Sequence, residues 1–155
     1  MSEVERPGRD RLAARQAELV AALVSGAPVP TGFDTRLVGA ARDALLRKRA
    51  GDVGRHWPML AAGLGADWLP TFRTFAGTRP TNGSLRDGWD LARELATGGR
   101  LPEPAAEELA VREATWRYDG DSNPRPRRAP ALGRAGRTLV IRVAGRVRVL
   151  RGGLG

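Results

Sequence analysis

Apolar positions recur at helical spacing through most of this chain and turn to β-branched, partly alternating runs near its end. From Arg9, Leu12, Gln16, Leu19, Val20 and Leu23 fall near a 3.6-residue period with charges between them, which predicts an amphipathic helix. Ser25-Gly26, with Pro28 and Pro30 beyond, predicts its stop. Asp34 or Thr35 can cap a second helix, with Leu37, Val38, Ala41 and Leu45 along one face. Arg47-Lys48-Arg49 suits the negative end of that helix. The cluster reads either as a solvated terminus or as a contact for an acidic partner. Pro58 is placed to open a short helix and Gly65 to close it. Asp67 can cap the next, where Trp68, Phe72 and Phe75 recur at i, i+4 and i+7 before Gly77. Pro80-Thr81-Asn82-Gly83 is a turn. Ser84 with Asp87 three residues on has the form of a capping box, with Asp in the usual place of Glu. The helix behind it runs through Leu91 and Leu95 to Gly98-Gly99. Pro104 can open a last helix with Ala106, Leu109, Glu113 and Trp116 on one face.

After residue 121 the period changes. Thr138–Val143 and Arg146–Arg151 are strand chemistry, and Ala144-Gly145 between them predicts a hairpin with a two-residue turn. Ala131-Leu132 offers a short third strand. The pattern therefore predicts an α+β fold, mainly α, with a five- or six-helix body followed by a small C-terminal β-hairpin. The expected organisation is a flexible N-terminus over 1–8, a helical domain over 9–118, a linker over 119–128 and an Arg-rich hairpin appendage over 129–155. A lone hairpin is marginal in water, so this one must pack on the helices or on a partner.

The stretch His56–Trp89 holds three of the four Trp and two of the three Phe. Aromatic side chains bury large apolar areas, so Trp57, Trp68, Phe72 and Trp89, with Trp116 from the last helix, are the expected core. Glu113 is the unusual member of that last helical stripe. An acid among apolar residues is costly unless paired, so an arginine of the body, Arg49 or Arg55, is its expected partner. The bland alternative is an exposed Glu at the helix edge.

Composition narrows the chemistry. There is no Cys, which excludes a disulfide or a thiolate nucleophile, and the single His56 excludes a multi-His metal site within this chain. No nucleophile–base pair is legible, so the reading has no catalytic residues, no metal ligands and no cofactor. No apolar run has the length of a signal core or a membrane span, which makes a cytoplasmic protein without a membrane partner the expectation. Residues 1–121 hold 17 of the 26 Lys+Arg and all 17 Asp+Glu, so the nine remaining Arg carry the whole formal charge of +9. Lys48 is the sole Lys, a bias that composition of the genome can explain; the segregation of charge into the tail favours an anionic partner.

The order His56-Trp57-Pro58, Leu64-Gly65 with Trp68 and Phe72 behind, Pro80 with Ser84–Trp89, and Leu101-Pro102 leading to Glu113 resembles a bacterial family of small helical proteins once labelled DNA-binding domains. That family is similar to the partner proteins of multinuclear non-haem iron oxidative enzymes, which modify ribosomally made peptides; some actinobacterial relatives carry such a domain fused to the enzyme. The likeness covers about residues 10–118, with loose motifs: Trp57 stands where Phe is commoner before the Pro, and the C-terminal part is shorter than in many partners. The resemblance implies a non-catalytic protein whose helical part docks on a TIM-barrel iron enzyme and whose β part helps present a precursor peptide.

Within that reading, Arg137, Leu139, Arg142, Arg146, Arg148 and Arg151 are the expected peptide-binding residues, offering a strand edge and guanidinium groups to an acidic precursor peptide. Alternation along the strand would turn Leu139, Ile141 and Val143 to the helices and Arg142 outward, beside Arg146 and Arg148. Three rivals stand beside it. The same arginines could track the phosphates of nucleic acid, although the body is neutral and offers no basic recognition helix. An enzyme lacks a legible site. A structural adaptor of unknown client is not separable by sequence.

Overall fold

The computed structural model describes residues 6–128, 131–135, 137–143 and 146–151. Six α-helices and a 3₁₀ turn precede short antiparallel strands: α1 (Arg6–Ser25), α2 (Thr35–His56), α3 (Pro58–Leu64), the 3₁₀ turn Gly65–Asp67, α4 (Trp68–Ala76), α5 (Ser84–Thr97), α6 (Glu103–Thr115), β1 (Trp116–Arg117), β2 (Arg125–Pro126), β3 (Ala131–Ala135), β4 (Thr138–Val143) and β5 (Arg146–Arg151). The fold is α+β and mainly α, as the pattern of the chain predicts. The expected turn Ala144-Gly145 and part of the expected flexible end lie outside the described residues.

The chain divides into two compact units. The first takes α1, α2 as far as Ala50, and α4 from Leu69, continuing to Thr81. Its buried residues include Ala22, Val38, Ala50, Phe72, Phe75 and Ala76. The buried stripe of α2 is not the expected one. Val38 and Ala50 are buried, whereas Leu37 and Leu45 are exposed. Arg42 and Arg49 stand between the two buried residues, and their guanidinium groups reach the chain just behind α4. Arg42 Nη2 donates to the Gly77 carbonyl at 2.6 Å. Arg49 donates to the carbonyls of Arg79 at 2.8 Å and Pro80 at 3.2 Å. Carbonyls past a helix end lack partners within the helix, and a planar guanidinium can satisfy two at once. Arg49 is thus an interior residue of α2 and not its end; the helix continues through Gly51 and Gly54 to His56.

The second unit holds the end of α2, α3, α5, α6 and the strands. Val53, Trp57, Leu60, Trp89, Leu91, Leu95 and Leu109 form its core. Trp57 and Trp89 meet edge to face, with ring centroids 5.8 Å apart. Trp57 Nε1 donates to the Leu85 carbonyl at 2.9 Å, so the buried indole leaves no polar atom unsatisfied. Pro58 opens α3 and Gly65, at φ 53°, closes it, both as the sequence predicts. The capping box at α5 does not form. Gly83 is the N-cap with no side-chain bond, and buried Asp87 instead accepts from the Asn82 amide at 2.9 Å.

The C-terminal strands form more than a hairpin. β3, β4 and β5 make a three-stranded antiparallel sheet in that order, and β1 pairs with β2 separately. β2 lies within the stretch expected as a linker. The sheet packs on α6, which also touches α3, α5 and β1. The seat is made by small residues. Ala106, Ala110 and Ala114 of α6 are buried, and so are Ala135 and Val140 of the sheet. A Cβ placed on Gly133 would stand 1.9 Å from the Ala110 carbonyl oxygen, so β3 can approach the helix this closely only as glycine.

Candidate functional site

Three surfaces carry chemistry. The first is the outer face of the sheet. Partners across antiparallel strands share a face, so the register Leu132–Ile141–Arg148 forms one row and Arg134–Leu139–Leu150 the next. Leu132 is 65 % exposed and Leu150 is 51 % exposed, with Leu139 and Ile141 half-buried. Arg134, Arg146 and Arg148 are exposed. Residues of one parity thus interleave aliphatic side chains with guanidinium groups.

This parity reverses the sequence expectation. Thr138 and Val140 are the buried residues of β4, so Leu139 and Ile141 face away from α6. Arg142 shares the parity of Val140, and its Nη1 donates to the Arg127 carbonyl at 2.6 Å. It therefore does not join Arg146 and Arg148 on one face. Arg151 pairs in register with Thr138, and Arg137 is exposed beside the start of β4. Of the six residues expected to bind a peptide, Leu139, Arg146 and Arg148 are brought together. Sequence reasoning missed Arg134, which register places in the row with Leu139.

The second feature is a polar knot joining α5, α6 and β1's exit. Glu113 Oε1 accepts from Trp89 Nε1 at 2.8 Å and from Arg93 Nε at 2.7 Å. Arg93, and neither Arg49 nor Arg55, is the arginine that meets Glu113. Arg93 Nη2 also donates to the Tyr118 carbonyl at 2.9 Å, and its guanidinium lies over the Trp89 and Tyr118 rings. The Tyr118 hydroxyl lies 2.9 Å from the Gly120 carbonyl and 3.1 Å from Asp90 Oδ2. Burial, reinforced by the Asp90 carboxylate, pushes this phenol up to about 12. The knot fixes elements in place; its groups are spent on one another. Trp57, Phe72 and Trp89 are fully buried and Trp68 is half-buried, but Trp116 is not core. α6 ends at Thr115, Trp116 turns extended, and its side chain is 39 % exposed.

The third surface is a groove of about 810 Å³ along α6, with Met59 of α3 on its other wall. Glu103, Glu107, Val111 and Trp116 line it. At its deep side, Glu108 accepts from the Leu60 amide at 3.0 Å and stands 3.6 Å from Arg112 Nη2. Burial raises the Glu108 carboxyl above its ordinary range, against the lowering pull of the Leu60 amide and Arg112. Arg112 in turn lies over the Trp57 ring at 4.2 Å and donates to the His56 carbonyl.

Among the described residues no three His, Cys, Asp or Glu come together as a metal site. Nor is any helix among them long and apolar enough to cross a membrane.

Residues 13–97 match the family model described as "SCO6045-like, C-terminal domain". The chain is also similar to a UPF0276 protein of Streptomyces avermitilis, at 39 % identity over 137 residues. That likeness covers 88 % of this chain and 28 % of the relative, so the chain spans less than a third of the relative's length. No solved structure matches.

Proposed function

The chain belongs to the SCO6045-like C-terminal domain family, and on that footing we propose that it is a non-catalytic partner module that docks on a multinuclear iron TIM-barrel enzyme and helps present an acidic precursor peptide. The observation that carries the docking role is the exposure of large aliphatic side chains on the first two helices. Leu12 and Val20 of α1 are 58 % and 56 % exposed, and Leu37 of α2 is 71 % exposed. Large aliphatic side chains left outside a core are candidates for burial against a partner. A relative that continues well beyond the matched stretch is consistent with a module that works beside a larger partner.

Peptide presentation falls to the outer sheet face. Arg134, Arg146 and Arg148 can each bond both oxygens of a carboxylate, while Leu132 and Leu150 offer apolar contact beside them. A duplex would draw on the same arginines, but it has little use for aliphatic rows between them. That mixture is why the peptide reading is preferred over nucleic acid.

The test is co-elution of the purified chain with a purified multinuclear iron TIM-barrel enzyme from the same genome. Leu12→Asp with Leu37→Asp should abolish the complex while leaving the circular dichroism unchanged. Fluorescence anisotropy then compares an acidic peptide with duplex DNA, using Arg134, Arg146 and Arg148 changed together to Glu. Tight DNA binding with none to the peptide sinks the presenting role; a complex untouched by the leucine changes sinks the docking surface.

A further inference from the structure

We propose that Asn82 is a site of spontaneous covalent modification, losing its side-chain amide to attack by the following glycine, and that the product releases Tyr118–Gly120 from the start of α5. The chain has two Asn, and one of them can react this way. Asn123 precedes Pro124, which has no backbone N–H with which to close a ring. Asn82 precedes Gly83, which has no side chain to hinder the attack. The pair lies in the irregular segment before α5, with Asn82 half-buried and Gly83 exposed at φ 94°. The step needs only water as co-reactant. The Gly83 nitrogen bonds to Asn82 Cγ and gives up its proton, the Cγ–Nδ2 bond breaks, and ammonia leaves with that proton. Water then opens the cyclic imide at either carbonyl, leaving aspartate or isoaspartate at this position.

The surroundings of Asn82 set both the rate and the consequence. Its Nδ2 donates to the Gly120 carbonyl at 3.3 Å and to the Tyr118 hydroxyl at 3.4 Å. Closing the ring turns the side chain toward its own backbone and away from both acceptors, so the folded protein slows the step. Once the amide is lost, its donors are lost with it, because a carboxylate only accepts. The new charge faces the Gly120 carbonyl and competes for the Tyr118 hydroxyl with Asp90 Oδ2, which already lies 3.1 Å from it. Isoaspartate adds a backbone carbon as well, next to Gly83, the N-cap of α5. There the Gly83 carbonyl accepts from the Asp87 backbone N–H at 2.8 Å, and Asp87 Oδ1 accepts from the Asn82 backbone N–H at 2.9 Å. The longer backbone falls between the two ends of that reciprocal pair.

The full chain is incubated in mildly alkaline buffer beside a synthetic peptide spanning residues 79–86. Peptide mapping by mass spectrometry should place the mass gain of an amide-to-acid conversion at Asn82, with ammonia released in equal amount. The rate in the folded chain should be about fivefold or more below that of the peptide, because two side-chain hydrogen bonds must open first. Hydrogen exchange over residues 118–122 should be faster in the aged protein than in the fresh one, and faster in Asn82→Asp from the start. Asn82→Gln, whose longer side chain closes a ring far more slowly, should gain no mass and keep its exchange unchanged on incubation. Conversion as fast as in the peptide overturns the proposal, and so does no conversion after many half-lives of the peptide. Exchange over 118–122 that is unchanged in both aged protein and Asn82→Asp overturns it as well.

Discussion

Gly133 rests so closely on Ala110 that a side-chain carbon at 133 would lie 1.9 Å from the carbonyl oxygen of 110, and 2.8 Å from the Ala114 nitrogen. Both neighbours are backbone, so no rotamer can relieve the clash. Gly133→Ala is expected to lift the sheet from α6 and destabilise the protein by about 1–3 kcal/mol or more. Urea unfolding followed by tryptophan fluorescence measures it. An unchanged midpoint would mean that the sheet is not seated on the helix.

A second glycine is constrained by a ring. A Cβ on Gly88 would lie 2.2 Å from Trp57 Cδ1, and Trp57 is fully buried with its Nε1 anchored on Leu85. The indole has nowhere to move without losing that bond. Gly88→Ala should cost about 1–3 kcal/mol by overpacking and should perturb the near-ultraviolet circular dichroism of Trp57 and Trp89.

Replacing Glu113 by Ala removes the acceptor shared by Trp89 and Arg93. The expected loss is about 1–3 kcal/mol, chiefly the cost of leaving the buried Trp89 Nε1 unsatisfied. Glu113→Gln should recover part of it. A double-mutant cycle with Arg93→Ala should show coupling; strict additivity would show that the two residues act independently.

Tyr118 is the single tyrosine, so phenolate absorbance reports on it alone. Its folded pKa, about 12, lies above the ordinary 10.0. The neutral phenol is therefore favoured by the fold. The stability this confers is fully present below pH 10 and is lost as pH rises through about 12. The absorbance midpoint should sit near the upper value in folded protein and fall on unfolding or in Asp90→Asn.

Asp119 titrates in the opposite direction. The Ser122 amide, the Ser122 hydroxyl and the Asp121 amide hold its carboxylate at about 2, below the ordinary 3.8. Its contribution is present above 3.8 and is lost as pH falls through about 2. Ser122→Ala should raise the value measured by carboxyl NMR titration; no change would show that the turn does not form in solution.

Much of the framework was legible because Pro and Gly act locally. Pro58, Gly65 and Gly99 mark helix boundaries through their own backbone preferences. What escaped depends on distant chain. Periodicity groups Leu37 and Leu45 on one face with Val38, because it shows that a helix has an apolar face and not which residues meet a neighbour. Three cations in a row at Arg47–Arg49 resemble a helix terminus; nothing local reveals that Arg49 bonds the carbonyls of Arg79 and Pro80. In β4, Leu139, Val140 and Ile141 are all apolar, so alternation could not choose a face. Gly133 in the neighbouring strand decided it through register, a tertiary fact. Glu113 was legible as an acid needing a partner, but the choice of Arg93 depends on how α5 packs on α6.

α6 has two working sides. Its alanines carry the sheet, and its Glu103–Val111 side floors the groove. One helix, about 10 Å across with its side chains, therefore borders both candidate binding surfaces. If filling the groove favours one setting of α6, affinity at the arginine face must change, and binding at that face must change affinity in the groove by the same factor. The position of α6 is then the quantity that the two surfaces share.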